Sequence, residues 1–215
     1  MKKIKIPNYT VSEEIINSIS HGVGALLSIA GLVVMIIKSL NDDNLSFIAC
    51  LIYGISLILL YLISCLYHAL SPKLKAKRIL RLLDHCNVFL LEAGTFTPVC
   101  LILIGGKIGF IYFIIIWLLT IFGIILNIID VDKYQIVSLV LHLLIGWSVI
   151  FMLKELILNL NLLGLIFLFG GGIFYSIGAV LYKIGATKKY MHSIFHFFCL
   201  AGSIFHFFMV FLCAI

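Results

Sequence analysis

The chain of 215 residues is 63% hydrophobic and 11% charged, with a formal net charge of +6 at pH 7 and a mean hydropathy of +1.24. Soluble domains are about half apolar and roughly a quarter charged, so a water-soluble fold is excluded. Strands alternating over about ten residues are absent, which excludes a membrane β-barrel; long apolar runs with short spacers describe an all-α polytopic membrane protein, each span satisfying its own backbone.

Residues 1–12, MKKIKIPNYTVS, carry lysines with no apolar region directly behind them and no small-residue cleavage site. They read as a short retained cytoplasmic tail and not as a signal peptide. Residues 13–215 read as a single seven-transmembrane helix bundle. Apolar runs of about 20 residues place helices near 15–38, 46–70, 81–104, 108–129, 135–154, 161–183 and 190–213. Thr10 and Glu13 have the spacing of a capping box at the start of the first. Pro72 and the charges of SPKLKAKR end the second. The third and fourth are divided by GGK at 105–107, the fourth and fifth by DVDK at 130–133, and KIGATKK precedes the seventh. The break near KELILNLN is the weakest, and merging across it would give six spans. Gly170, Gly171, Gly172 and Gly178 in the sixth span allow close helix approach. Cys50, Cys65, Cys86, Cys100, Cys199 and Cys213 are scattered in apolar runs without a C-x-x-C and read as small buried filler.

Basic residues set the expected orientation. With seven spans, one side of the membrane receives Lys2, Lys3, Lys5, Lys73, Lys75, Lys77, Arg78, Arg81, Lys133, Lys183, Lys188 and Lys189, and the other only Lys38, Lys107 and Lys154. The positive-inside rule therefore puts the N-terminus in the cytoplasm and the C-terminus outside, in the cell membrane. The net positive charge serves insertion and anionic headgroups, so nucleic acid is not an expected partner.

Ionisable residues inside lipid cost about 2.5–3.5 kcal/mol each on insertion scales, so each needs an explanation. SCLYH places Ser64 and His68 one turn apart near the cytoplasmic end of the second span. RLLDHCN places Asp84 about one turn into the third, and KYMHSIFHFF places His192 and His196 in the first two turns of the seventh. At about 1.5 Å rise per residue these groups lie within roughly 10 Å of one depth. Three imidazoles with one open position are how catalytic zinc is held. Asp84 would bind the metal directly or hold and deprotonate its water, and Ser64 would hydrogen-bond that water or a substrate carbonyl. The competing reading, interhelical hydrogen bonding, fits any one of these histidines alone. Another divalent ion would also suit imidazole.

On the first span Glu14, Asn17, His21, Gly24, Ser28 and Gly31 trace one stripe, polar at the cytoplasmic end. Glu14, Asn17 and His21 read equally as partners that fix the ligand tautomers and as a hydrated packing seam. His85 lies about 100° around the helix from Asp84 and points elsewhere. His142 is a fallback ligand, and His206 lies about 15 Å beyond His196, too deep for the same metal. Glu92, two turns past Asp84, is open to three readings: neutral, paired with His206, or lining a polar cavity.

The segments EEIINSISHGVGALLSIAGL, SCLYHAL, LRLLDHCNVFLLEAGTFTP and HSIFHFFCLAGSIFHFF, in this order over residues 13–212, resemble the hemolysin III family. That family is the bacterial branch of the progestin and adipoQ receptor (PAQR) superfamily. Its pattern of S-x-x-x-H, Asp and H-x-x-x-H falls on Ser64, His68, Asp84, His192 and His196. The resemblance implies Zn2+ held by the three histidines on the cytoplasmic side of seven helices, an aspartate contacting the metal-bound water, and hydrolysis of lipid amides such as ceramide. Glu92 stands where the family pattern carries an apolar residue.

The expected function is zinc-dependent hydrolysis of lipid amides or esters, with membrane lipids as partners and a cytoplasm-facing site. A pore-forming or cytolytic protein, as the family's name suggests, and a non-catalytic membrane-lipid sensor are the alternatives. Transport is disfavoured because the polar residues gather on one side and mark no path across.

Overall fold

The computed structural model describes residues 4–40 and 42–215; Lys2 and Lys3, counted above among the cytoplasm-side charges, lie outside the described residues. The fold is all-helical. The helices are α1 (Val11–Ser39), α2 (Asn44–Ala69), α3 (Lys75–Pro98), α4 (Gly106–Asp130), α5 (Gln135–Trp147), α6 (Leu153–Asn159), α7 (Leu162–Gly185) and α8 (Met191–Cys213). Among the described residues seven spans are long and apolar enough to cross a membrane, the third running Lys75–Ile104 and the fifth Gln135–Asn159.

Local chemistry sets these ends. The predicted capping box forms: Glu13 N–H donates to Thr10 Oγ1 at 3.3 Å and Thr10 N–H to Glu13 Oε2 at 2.8 Å. Asp43 caps α2 by accepting from Ser46 N–H at 2.8 Å. Pro98 supplies no N–H, and the third span widens after it into a π-helical stretch, Val99–Ile104. Gly105, at φ 65°, then turns the chain into α4 in a region that favours glycine. The fifth span changes pitch through a 3₁₀ segment, Ser148–Met152, and continues as α6. Asn161 ends the ambiguity near KELILNLN by capping α7, its Oδ1 accepting from Gly164 N–H at 2.9 Å. The third span begins six residues before the predicted 81 because Lys77 and Arg81 are buried, not interfacial.

Spans neighbour one another in chain order, and α1 closes the ring against α8. Their outer faces carry exposed Ile, Leu, Val and Phe, as lipid requires, while Tyr53, Tyr61, Phe89, Met35 and Ile116 fill the interior. The small and polar stripe predicted on α1 is its buried face, including Asn17, His21, Gly24, Ser28 and Gly31. α5 and α7 are bridged by long side chains, Gln135 Nε2 donating to Tyr182 Oη at 2.7 Å and Trp147 Nε1 to Ser176 Oγ at 3.0 Å. All six cysteines are free thiols.

Candidate metal centre

α2 ends, and α1, α3 and α8 begin, at the same end of the bundle, so the polar residues of four helices meet there. One nitrogen each of His68, His192 and His196 lies within 4.8 Å of the other two, and all three side chains are buried. The Nε2 atoms of His192 and His196, one helical turn apart, are 3.1 Å from each other. Two nitrogens bound tetrahedrally at about 2.0–2.1 Å from one zinc stand roughly 3.3 Å apart. That pair is already close to the required separation, and the third nitrogen lies within 4.8 Å of both.

The tautomer of His68 follows from its partners. Glu14 Oε1 accepts from Lys77 Nζ at 2.5 Å and Glu14 Oε2 from His68 Nδ1 at 2.6 Å. A carboxylate taking a lysine proton donor on one oxygen is an acceptor on the other, so Nδ1 carries the hydrogen and Nε2 the lone pair. That Nε2 is buried and without a hydrogen-bond partner, and a buried polar nitrogen left so calls for a ligand. Carboxylate, imidazole and open nitrogen form the arrangement in which histidines are held for zinc, so the residues fit the ion.

α1 supplies the surroundings. The ring of His21 stacks on His196 with centroids 3.7 Å apart and planes at 22°, and it meets Tyr61 edge-on at 4.9 Å. Asn17 Nδ2 lies 3.4 Å from His68 Nδ1. Asn17 Oδ1, both nitrogens of His21 and His196 Nδ1 are further buried atoms without a partner, which concentrates unsatisfied polar groups around the three imidazoles.

Asp84 and Ser64 sit together: the Ser64 hydroxyl is the side-chain hydrogen-bonding partner of the Asp84 carboxyl. Among the described residues the converging ligand atoms are the three imidazole nitrogens, and Asp84 is not one of that group. Its carboxyl shares its surroundings with the phenols of Tyr9, Tyr67 and Tyr182 and the guanidinium of Arg81. The remaining histidines lie elsewhere. His85 packs toward Tyr182 at 6.2 Å. His142 Nδ1 bonds Glu92 Oε2 at 3.0 Å, so Glu92 pairs across to α5 and not with His206, whose Nε2 lies 3.1 Å from the Leu168 carbonyl.

Four residues here make contacts that a local reading does not supply. Lys77 is 0% exposed and Arg81 4%, and Arg81 Nη1 donates to Asp132 Oδ1 at 2.7 Å. Glu13 accepts from Tyr190 N–H at 2.7 Å, tying the start of α1 to the start of α8. Tyr9 stacks on His192, centroids 4.8 Å apart and planes at 22°.

Fold and site together define a multi-pass α-helical membrane protein with a buried three-histidine cluster at one end of its bundle. Residues 9–207 match the family described as Haemolysin-III related, and the chain belongs to that family. It is 40% identical over 203 residues to the Hemolysin-3 homolog of Bacillus subtilis (strain 168), covering 94% of each chain. It is also 40% identical over 201 residues to Hemolysin-3 of Bacillus cereus, covering 93% of this chain and 91% of that protein. The human Monocyte to macrophage differentiation factor, 26% identical over 208 residues and covered to 84% of its length, agrees with placement in the wider progestin and adipoQ receptor superfamily.

Proposed function

We propose that this protein is a zinc-dependent hydrolase of membrane lipid amides or esters. It lies in the cell membrane with its N-terminus and site on the cytoplasmic side and its C-terminus outside. The observation that carries the reading is the unpartnered, buried Nε2 of His68, left open where Glu14 takes Nδ1, on an imidazole that has a nitrogen within 4.8 Å of nitrogens of His192 and His196. Zinc held there would supply a Lewis acid for an acyl carbonyl and acidify water. The chain's own groups do the rest. Glu14 holds the imidazole of His68 by its hydrogen bond and His21 lies flat against that of His196, with Asn17 alongside them. Asp84 accepts the proton of the attacking water and returns it to the leaving amine or alkoxide, while Ser64 orients the carboxyl by its hydrogen bond. Burial of the site excludes bulk water, so an acyl group arriving from the bilayer meets a positioned water only.

The test is metal content of detergent-purified protein beside a His192→Ala/His196→Ala variant that still folds. About one zinc per chain, absent from the variant, is expected. The zinc-loaded protein should then cleave at least one member of a panel of ceramides, N-acyl amines and glycerolipid esters. Zinc-loaded protein inert toward the whole panel refutes hydrolysis. A cytolytic reading is favoured by one finding, the name Hemolysin-3 carried by relatives at 40% identity. Its mark is lysis of erythrocytes by metal-free protein, which the hydrolase reading does not produce.

A further inference from the structure

The three imidazoles are braced by three different residues, all from the beginning of the chain. His68 is held through its second nitrogen by the Glu14 carboxylate at 2.6 Å. The ring of His196 lies flat against His21 at 3.7 Å. His192 has neither brace: among the described residues its one hydrogen-bond contact is the neighbouring nitrogen of His196. Phe195 and Tyr182 meet it at tilted angles, at 5.3 and 5.9 Å. Its one stacked neighbour is Tyr9, at 4.8 Å and 22°, which also leans on His68 at 5.7 Å.

Resting on the zinc reading above, we propose that Tyr9 is a positioning residue of the metal centre. Residues 5–10 form a strap that lays its ring face-on against His192, fixes the plane of that imidazole and covers the site at the end where the N-terminus lies. An imidazole without an acceptor on its second nitrogen turns about its terminal torsion, which is broad and weakly restrained. A phenol face pressed on it removes that freedom, because rotation drives the imidazole edge into the ring. The strap is pinned at both ends. Lys5 N–H donates to Asp132 Oδ2 at 2.9 Å, and the other oxygen of Asp132 holds Arg81. Thr10 donates its N–H and hydroxyl to Glu13 Oε2 at 2.8 and 2.7 Å. The second oxygen of Glu13 takes the N–H of Tyr190, two residues ahead of His192. Tyr190 has φ 63°, a conformation that residues other than glycine rarely adopt, and the bond to Glu13 is what that turn gains. One carboxylate thus joins the strap that carries Tyr9 to the turn that carries His192.

The test uses full-length protein in detergent, loaded with zinc or cobalt, as wild type, Tyr9→Ala and Tyr9→Phe. Zinc transfer to excess chelator is followed with a metal-sensitive dye, and the visible bands of the cobalt form are recorded. Removing residues that orient a ligating histidine typically lowers affinity about 10–100-fold. Tyr9→Ala is therefore expected to release zinc about tenfold faster and to shift the cobalt bands, and Tyr9→Phe, which keeps the ring, to match wild type in both. A tyrosine that only anchored the tail would leave the cobalt bands unmoved. Wild-type release and bands in Tyr9→Ala overturn the proposal, as does Tyr9→Phe releasing zinc as fast as Tyr9→Ala. Should Tyr9→Ala not fold, Tyr9→Leu fills the space without an aromatic face and is read the same way. Wild-type protein that takes up neither ion overturns the zinc reading itself, whereas normal uptake with an unchanged Tyr9→Ala overturns only the role of Tyr9.

Discussion

Glu14 is the sharpest place to test how the site is held. Its two oxygens bind Lys77 Nζ at 2.5 Å and His68 Nδ1 at 2.6 Å, and the lysine and histidine side chains are 0% exposed. Glu14→Ala leaves the lysine charge buried with the Leu70 carbonyl, at 2.8 Å, and the face of the Tyr67 ring, 5.0 Å from its centroid, to receive it. Breaking a buried pair on one side costs about 3–5 kcal/mol, and the lower figure applies because that carbonyl remains and the stem can extend toward the interface. A loss of about 3 kcal/mol lowers Tm by roughly 6–12 °C in a chain of this size. Lys77→Met on the same background removes the orphaned charge, so the double variant should regain most of that loss, a coupling that a double-mutant cycle measures directly. Glu14→Gln, which cannot serve as a charged acceptor, should weaken zinc binding about 10–100-fold. The assay is thermal unfolding of wild type, Glu14→Ala, Lys77→Met and the double variant in one detergent. A Glu14→Ala shift under about 2 °C, or a double variant no more stable than Glu14→Ala, refutes the account of Glu14 as the shared partner of Lys77 and His68.

Two further perturbations separate the site from its scaffold. A Cβ on Gly185 would stand 2.8 Å from the backbone nitrogen of His192; Gly185→Ala should cost about 1–3 kcal/mol and lower zinc occupancy, and unchanged occupancy would show that the turn tolerates the shift. Glu92→Leu strips His142 of its 3.0 Å partner and should cost about 1–3 kcal/mol, whereas Glu92→Leu/His142→Leu should cost less. Neither should change zinc content, and loss of the metal in either would place this pair in the centre.

The parts of this structure that were readable from the chain share one property: their signal is local and periodic. Apolar runs gave the spans, Thr10 and Glu13 one helix start, and the four-residue spacing of His192 and His196 a common face. The stripe from Glu14 to Gly31 pointed at the interior because every member repeats at helical intervals. What escaped depends on partners far along the chain. Lys77 and Arg81 look like interfacial charges, and only pairing with Glu14, 63 residues away, and Asp132, 51 residues away, folds them inward. Glu92 has no single reading in the sequence because His142 lies 50 residues off on another span. Tyr9 sits in an extended segment, where no period tells which way a side chain points.

The centre joins the first span to the last, and this has a consequence for the order in which the protein is made. A ribosome that has delivered everything through α7 has produced Glu14, Lys77 and His68, which can already engage one another. The two nitrogens of α8, and the backbone of Tyr190 that latches onto Glu13, are still unsynthesised. An ion that needs all three imidazoles could therefore enter only after His196 has been delivered. A product truncated before residue 191 would keep six spans and only His68 of the three imidazoles, so a capacity to load metal would report that synthesis had passed the first two turns of α8.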